Sequence, residues 1–451
     1  MYRRFLEGRA VGFVVALLTL SFAAVPARGG LFNPETFTLS NGMQVVLVPD
    51  HRAPVVSHWV WYRGGAADEP VGKSGVAHFL EHLMFKGTPT VPQGEFSRIV
   101  ARNGGTENAM TSQDYTAYFQ SVARDRLELV MRLEADRMVN LMFSDEEVAR
   151  ERDVILEERR SRVDNEPSVQ LFEMMNAVQF LAHPYGTPVI GWEHEIERLT
   201  AEDARAFYRR HYAPNNAYLI VVGDITAAEL RPLAEKSYGA ISAREIAPQI
   251  RPQEPPQRGA RRVELRDKRV RQPEWRRSYL APSLSAGASE HAYAFEVLAE
   301  VLSGTTGRLY RALVVEKKLA LWAGAGYDGV NLDLSEFFLY AAPAPGVGID
   351  DLEAALEEEI ARLLTQGVDE DEVERVKRTM RADAVYARDS RYLAARVFGE
   401  GLTAGLTVEE VEAWPDRIQA VTVGAVNAAA RFVFRPEASV TGVLLPGEPA
   451  S

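Results

Sequence analysis

Residues 78–88 read HFLEHLMFKGT, with histidines at 78 and 82 and a glutamate at 81. The surrounding pattern, GVAHFLEHLMF, predicts an amphipathic helix with Ser74 as its N-cap. Residues i and i+4 lie on one helix face, a turn apart, so both imidazoles can converge on a single ion. Glu81, at i+3 from His78, shares that face. The order H-x-x-E-H is the reverse of the H-E-x-x-H zinc motif. In this arrangement His78 and His82 ligate a metal, and Glu81 takes a proton from a water and returns it to a leaving amine. With eight histidines in 451 residues, chance supplies this pattern on the order of 0.01 times per chain. The competing reading is a pair of core-edge histidines. Two half-buried imidazoles beside a carboxylate need a partner, and a metal supplies one.

A third ligand has to come from elsewhere. The chain has no cysteine, which leaves His, Asp and Glu. SDEEVARERDVILEERRSR (144–162) begins with a capping box, Ser144 with Glu147. Glu151 and Glu158 are seven residues apart on this helix and share a face, while Glu157 points about 100° away from Glu158. The shared face can meet the histidine helix, with one carboxylate on the metal and the other behind it. Helix geometry does not say which.

Around this centre the chain reads as two units. Its length exceeds what one core holds comfortably, and 46% hydrophobic with 25% charged residues is a globular composition. The net charge of −12 excludes a nucleic-acid-binding surface as the main function. FTLSNGMQVVLVPD (37–50) signals a hairpin at Asn41-Gly42. VVSHWVWYRGG (55–65) reads as a buried strand, followed by helical patterns to about Arg162. YAPNNAYLIVVGDIT (212–226) reads as turn, strand and helix start. IAPQIRPQEPPQRGA (246–260) holds four prolines and is predicted to be an extended inter-domain linker. Beyond it, FRPEASVTGVLL echoes YAPNNAYLIVV, pairing Tyr212 with Phe434 and Pro214 with Pro436, as a duplicated domain would. DLEAALEEEIARLLTQG predicts an amphipathic helix with Leu352, Leu356, Ile360 and Leu363 inward and Gly367 past its end.

The first residues look like an address. A basic start, the short apolar run AVGFVVALLTLSFAA and the small residues of VPA predict a signal peptide over 1–27, cleaved after Ala27. The run is short for a membrane span, and no second run of spanning length follows. The expected location is periplasmic. The predicted units are then 28–245, the linker 246–260, and 261–451.

These pieces together resemble the pitrilysin/insulinase family of zinc peptidases, and within it the short members such as mitochondrial processing peptidase and its bacterial relatives. The resemblance rests on GVAHFLEHLMFKGT (75–88), GGTENAMTSQDYTAYF (104–119), ERDVILEERR (151–160), HPYGTPVIG (183–191), HYAPNNAYLIVVGD (211–224) and SGTTGRLYRAL (303–313), in that order. It implies two homologous α+β domains, each a mixed β-sheet packed with α-helices, and cleavage of peptides. It also implies Zn2+ on His78, His82 and Glu158, Glu81 as general base, and Glu151 supporting a ligand from behind. ENAMTS resembles the family's substrate-binding edge strand, where Asn108 and Ala109 would pair with an extended peptide. The histidine of HPYG reads as structural. One stretch departs from the family. Its active sites also draw an arginine and a tyrosine from a segment resembling LREKRGLAY, and here LVVEKKLAL (313–321) puts Val314 and Leu321 in those places. The departure implies that a related chain, one with that pair and without the zinc motif, completes the site as a heterodimer.

Overall fold

In the computed structural model, residues 30–447 are described, and the predicted signal peptide lies outside them. Two sheets carry the fold. The first is built from β1 (Glu35–Thr38), β2 (Gln44–Pro49), β3 (Val55–Arg63), β4 (Thr106–Thr111), β5 (Tyr115–Ala123) and β6 (Ala217–Gly223), in the order β1-β2-β6-β3-β5-β4. The second contains β7 (Arg261–Asp267), β8 (Glu274–Ala281), β9 (Ala320–Tyr327), β10 (Ser335–Pro343) and β11 (Ser439–Pro446), in the order β7-β11-β8-β10-β9.

The sheets are two copies of one plan. β2 runs parallel to β6, and β7 parallel to β11; every other pair is antiparallel. The first sheet adds only β1, joined to β2 by the hairpin that Asn41-Gly42 predicted. Gly42 turns there with φ 91°, a backbone angle that glycine adopts without a Cβ penalty. The echo in the sequence falls in register. Pro214 and Pro436 each open a short turn three residues ahead of the last strand of their half, and Tyr212 and Phe434 are both buried.

Each sheet covers one face with its own helices. On the first sheet, Val45, Val60, Tyr62 and Leu219 meet Phe79, Leu80, Met131 and Phe207 from helices Val76–Leu83, Leu127–Asn140 and Ala201–His211. On the second, Trp275, Phe337 and Leu339 meet helices Ala292–Leu302, Ile349–Gln366 and Val423–Val433. Leu352, Leu356 and Leu363 point inward as predicted, Ile360 packs at the margin, and Gly367 ends the helix with φ 76°.

The opposite faces are covered by exchange. Helix Arg391–Thr403, from the second half, lays Ala394, Ala395, Phe398 and Leu402 on Trp59, Trp61 and Ile220 of the first sheet. Helix Pro167–Gln179, from the first half, lays Leu171 and Met175 on Val440 and Leu444 of the second. Neither sheet is closed without the other half, so the halves fold as one body through apolar burial worth about 25 cal/mol per Å².

Two expectations need correction, and a third gains a detail. The stretch read as helical up to Arg162 contains β5 as well as β4, the edge strand that the resemblance of ENAMTS implied. YTAYFQSVA is a two-sided buried strand whose Tyr118 and Ala117 face opposite cores, so its aromatic and apolar residues pack on both faces of the sheet. Ser74 does not cap the histidine helix. The N-cap is Gly75, in the left-handed conformation, and Ser74 Oγ accepts from Trp192 N (2.9 Å). Two carboxylates cap the helix instead: Glu69 accepts from Gly75 N (2.9 Å) and Ala77 N (2.8 Å), and Glu195 accepts from Ser74 N (2.7 Å). Segment 246–260 has no helix or strand, as an extended linker would, yet it is pinned. Glu254 accepts from the backbone N–H groups of Leu181, Ala182 and His183, and Arg251 is buried.

Candidate metal and catalytic centre

The helix Val76–Leu83 turns its apolar residues Val76, Phe79, Leu80 and Leu83 into the core. His78, Glu81 and His82 stand on the side that meets helix Asp145–Arg159. The two imidazoles are 4.7 Å apart, ring centre to ring centre, and inclined by 73°. Glu158 Oε2 lies 3.3 Å from His82 Nε2 and 3.8 Å from His78 Nε2. Zinc bonds of about 2.0–2.1 Å in a tetrahedron place ligand atoms about 3.3 Å apart, and these three donors, all within 4.8 Å of one another, could hold such an ion. They are the one group of three His, Asp or Glu residues among the described residues with metal-holding geometry.

Glu157 is turned away, its side chain 73% exposed against 15% for Glu158. Glu158 Oε1 is engaged by Arg162 (2.6 Å), which leaves Oε2 for the histidines. Behind His82, Nδ1 is 2.8 Å from Glu151 Oε1. A carboxylate partner places the proton on Nδ1 and frees Nε2 for a metal. Lys86 pairs with the other oxygen of Glu151.

The electrostatics separate the two histidines. Burial, reinforced by the neighbouring His82, lowers the His78 pKa to about 4, so this ring is neutral. Burial also works against charge on His82, but the hydrogen bonds to Glu151 and Glu158 prevail and raise it to about 9. Burial opposes ionisation of Glu151 too, and the bonds from His82 and Lys86 overcome it, lowering its pKa to about 2. The His82 hydrogen bond keeps Glu158 below the usual carboxylate range. Glu81 moves the other way: burial pushes its pKa up, against the hydrogen bond from Thr111 Oγ1 to Oε2 (2.5 Å). A carboxyl raised toward neutrality beside the metal donors is suited to taking and returning a proton.

Thr111 belongs to β4, the free edge of the first sheet. Asn108 is the third residue of that strand and not part of a turn, and its Oδ1 accepts from Ala109 N (2.9 Å). The edge strand therefore ends beside the Glu81 carboxylate. Of the predicted site residues, the structure brings His78, Glu81, His82, Glu151 and Glu158 together and sets Asn108 and Ala109 on the strand next to them. His183 stands apart, near Asp333 (3.1 Å). Sequence reasoning missed Thr111, Lys86 and Arg162. Thr111 and Lys86 were within reach, because they lie in the ENAMTS and HFLEHLMFKGT stretches; Arg162 carries no motif.

The family profile described as Insulinase (Peptidase family M16) matches residues 44–192, and the profile described as Peptidase M16 inactive domain matches 198–380. Zinc protease PqqE of Helicobacter pylori is 32% identical over 404 residues, spanning 89% of this chain and 90% of its own. The chain belongs to the M16 peptidase family. A probable mitochondrial-processing peptidase subunit beta of Schizosaccharomyces pombe is 32% identical over 213 residues, 47% of this chain and 46% of that protein. Among solved structures, a protease from Helicobacter pylori superposes with a TM-score of 0.86 at 30% identity, covering 92% of this chain and 99% of that one. The periplasmic protease PqqL from Escherichia coli shares the fold, with a TM-score of 0.77 at 22% identity, covering 91% of this chain and 47% of its own. PqqE carries the name zinc protease, which supports a protease-like function and a zinc cofactor here. The inactive-domain profile begins within the first half, at residue 198, and runs to 380; the second half, from 261, contains a single histidine, His291.

In that half, Val314 lies in the helical turn Tyr310–Glu316, packed against the core, and Leu321 is the second residue of β9, with 45% exposure. Neither side chain donates a hydrogen bond. Lys318, where the family stretch LREKRGLAY has glycine, is left-handed with φ 55°.

Proposed function

We propose that this chain is the zinc-bearing subunit of an exported endopeptidase that cuts short or unfolded peptides. The observation that carries the reading is the convergence of His78 Nε2, His82 Nε2 and Glu158 Oε2 with the Glu81 carboxylate beside them. Bound zinc supplies Lewis acidity. His78, His82 and Glu158 hold it, and Glu151 fixes the orientation of His82. Glu81 accepts the proton of the attacking water and delivers it to the leaving amine, with Thr111 holding the carboxylate in place. The peptide lies extended along β4 and pairs with the backbone at Asn108 and Ala109, as a strand added to an open sheet edge.

Export is supported by the basic start, the short apolar run and the small residues before Ala27. No described helix is long and apolar enough to cross a membrane. The partner is supported by Val314 and Leu321. A developing oxyanion left without its donors loses a contribution of several kcal/mol, so a related chain bearing the arginine and tyrosine completes the site. The same loss favours a second reading, a peptide-binding subunit without turnover. A scaffold, however, has no use for a carboxylate raised toward neutrality beside two imidazoles.

Zinc titration of the chain from Arg28 tests the ligand set. We expect one ion per chain, retained in Glu157→Gln and Glu81→Gln and lost in Glu158→Gln. Equal zinc content in Glu157→Gln and Glu158→Gln would remove Glu158 from the site.

A further inference from the structure

Segment 246–260 carries a buried guanidinium in its middle. Arg251, its side chain 5% exposed, donates from Nη1 to Asp114 Oδ1 (2.5 Å) and Asp333 Oδ2 (3.0 Å), and from Nη2 to both carboxylate oxygens of Asp68 (3.1 Å each). The three carboxylates come from three places. Asp68 closes the short turn Ala66–Asp68 that leads into the histidine helix, Asp114 stands in the turn between β4 and β5, and Asp333 precedes β10 in the other half. The Tyr185 hydroxyl donates to Asp114 (2.7 Å) and accepts from Asp333 N (3.2 Å).

Nothing in the hydrolytic chemistry calls for this node, yet it grips the machinery at a sensitive point. Asp114 is three residues past Thr111, which holds Glu81. The turn is also laced to the helix entry: Ala66 N donates to Ser112 O and Ala67 N to Gln113 O, both at 2.9 Å. Gly65 makes this approach possible, since a Cβ there would collide with the same two carbonyl oxygens. Arg251 neutralises Asp68 on the helix side and Asp114 on the strand side at once. Without it, two buried like charges would face each other across that lacing and push it apart.

We propose that Arg251 is a positioning residue for peptide hydrolysis, fixing the β4 edge relative to the Glu81 carboxylate. This rests on the peptidase reading above. The zinc donors stand on helices that Arg251 does not touch, so its loss displaces the peptide and spares the metal.

The test compares wild type, Arg251→Lys and Asp114→Asn in the completed enzyme, recording zinc content, kcat and KM, and hydrogen exchange over residues 106–114. A lysine keeps the charge but cannot fork between carboxylates. We expect one zinc per chain throughout, a KM raised about tenfold in each variant with a smaller change in kcat, and faster exchange over 106–114. A role confined to stability would lower the unfolding midpoint and leave the KM of the folded variants unchanged. An active wild type with unchanged KM and exchange in both folded variants overturns the positioning role alone. An inactive wild type overturns the peptidase reading and, with it, the role of Arg251 in hydrolysis.

Discussion

At the residue scale, protons are allotted before any metal arrives. His82 is held at about 9 and His78 at about 4, so at neutral pH one ring is charged and the other is not. Zinc needs both Nε2 lone pairs, and its binding must expel the His82 proton. Calorimetry in buffers of differing ionisation enthalpy should therefore find about one proton released per zinc at pH 7, falling toward zero above pH 9. Release that does not change between those values would contradict the assignment. A second carboxylate shows the cost of a charge with no such partner. Burial pushes the Glu336 pKa to about 7, and its Oε1 has no hydrogen-bond partner among the described residues. The folded state holds this proton more tightly than the unfolded chain, where the pKa is near 4.5. Its stabilising effect is complete at low pH and is lost as pH rises through 7, amounting to at most about 3 kcal/mol. Glu336→Gln should raise the unfolding midpoint at pH 8 and leave it unchanged at pH 4.5; an equal effect at both would refute the assignment.

At the element scale, the exchanged helices join the halves. Gly399 lies against Trp61, and a Cβ there would be driven into the indole. Gly399→Ala should cost about 1–3 kcal/mol in denaturant unfolding, despite alanine's better helix propensity. A neutral or stabilising result would mean that this contact is loose. The sequence made the histidine helix, the box at Ser144 and the inward leucines of Ile349–Gln366 legible, because each follows from local periodicity or local capping. β5 was lost in a helical reading because it is buried on both faces and shows no simple alternation, whereas β4 was expected as an edge strand from the family resemblance of ENAMTS. The caps of the histidine helix were illegible for another reason. Glu69 and Glu195 reach it across folded space, and no spacing rule links them to Gly75. At the site itself, His78, Glu81 and His82 were set by a four-residue spacing. The choice of Glu158 over Glu157 came from the family resemblance and now has a geometric counterpart in the Oε2 contacts with both imidazoles.

At the scale of the whole molecule, two duplicated halves hold one candidate metal centre. The first half carries the donors and the open strand edge, and the second presents Val314 and Leu321 where the family places an arginine and a tyrosine. The shared cores and the Arg251 node bind the halves into one body, and in the proposed function the arginine and tyrosine arrive on another chain. The most direct test is cleavage of a quenched fluorescent peptide by the chain from Arg28, alone and mixed with a related chain that bears the arginine–tyrosine pair. The account predicts activity in the mixture, at most weak activity alone, and a loss of about a hundredfold or more in Glu81→Gln with zinc retained. Full activity of the isolated chain would contradict the need for a partner, and no activity in the zinc-loaded mixture would contradict the peptidase itself.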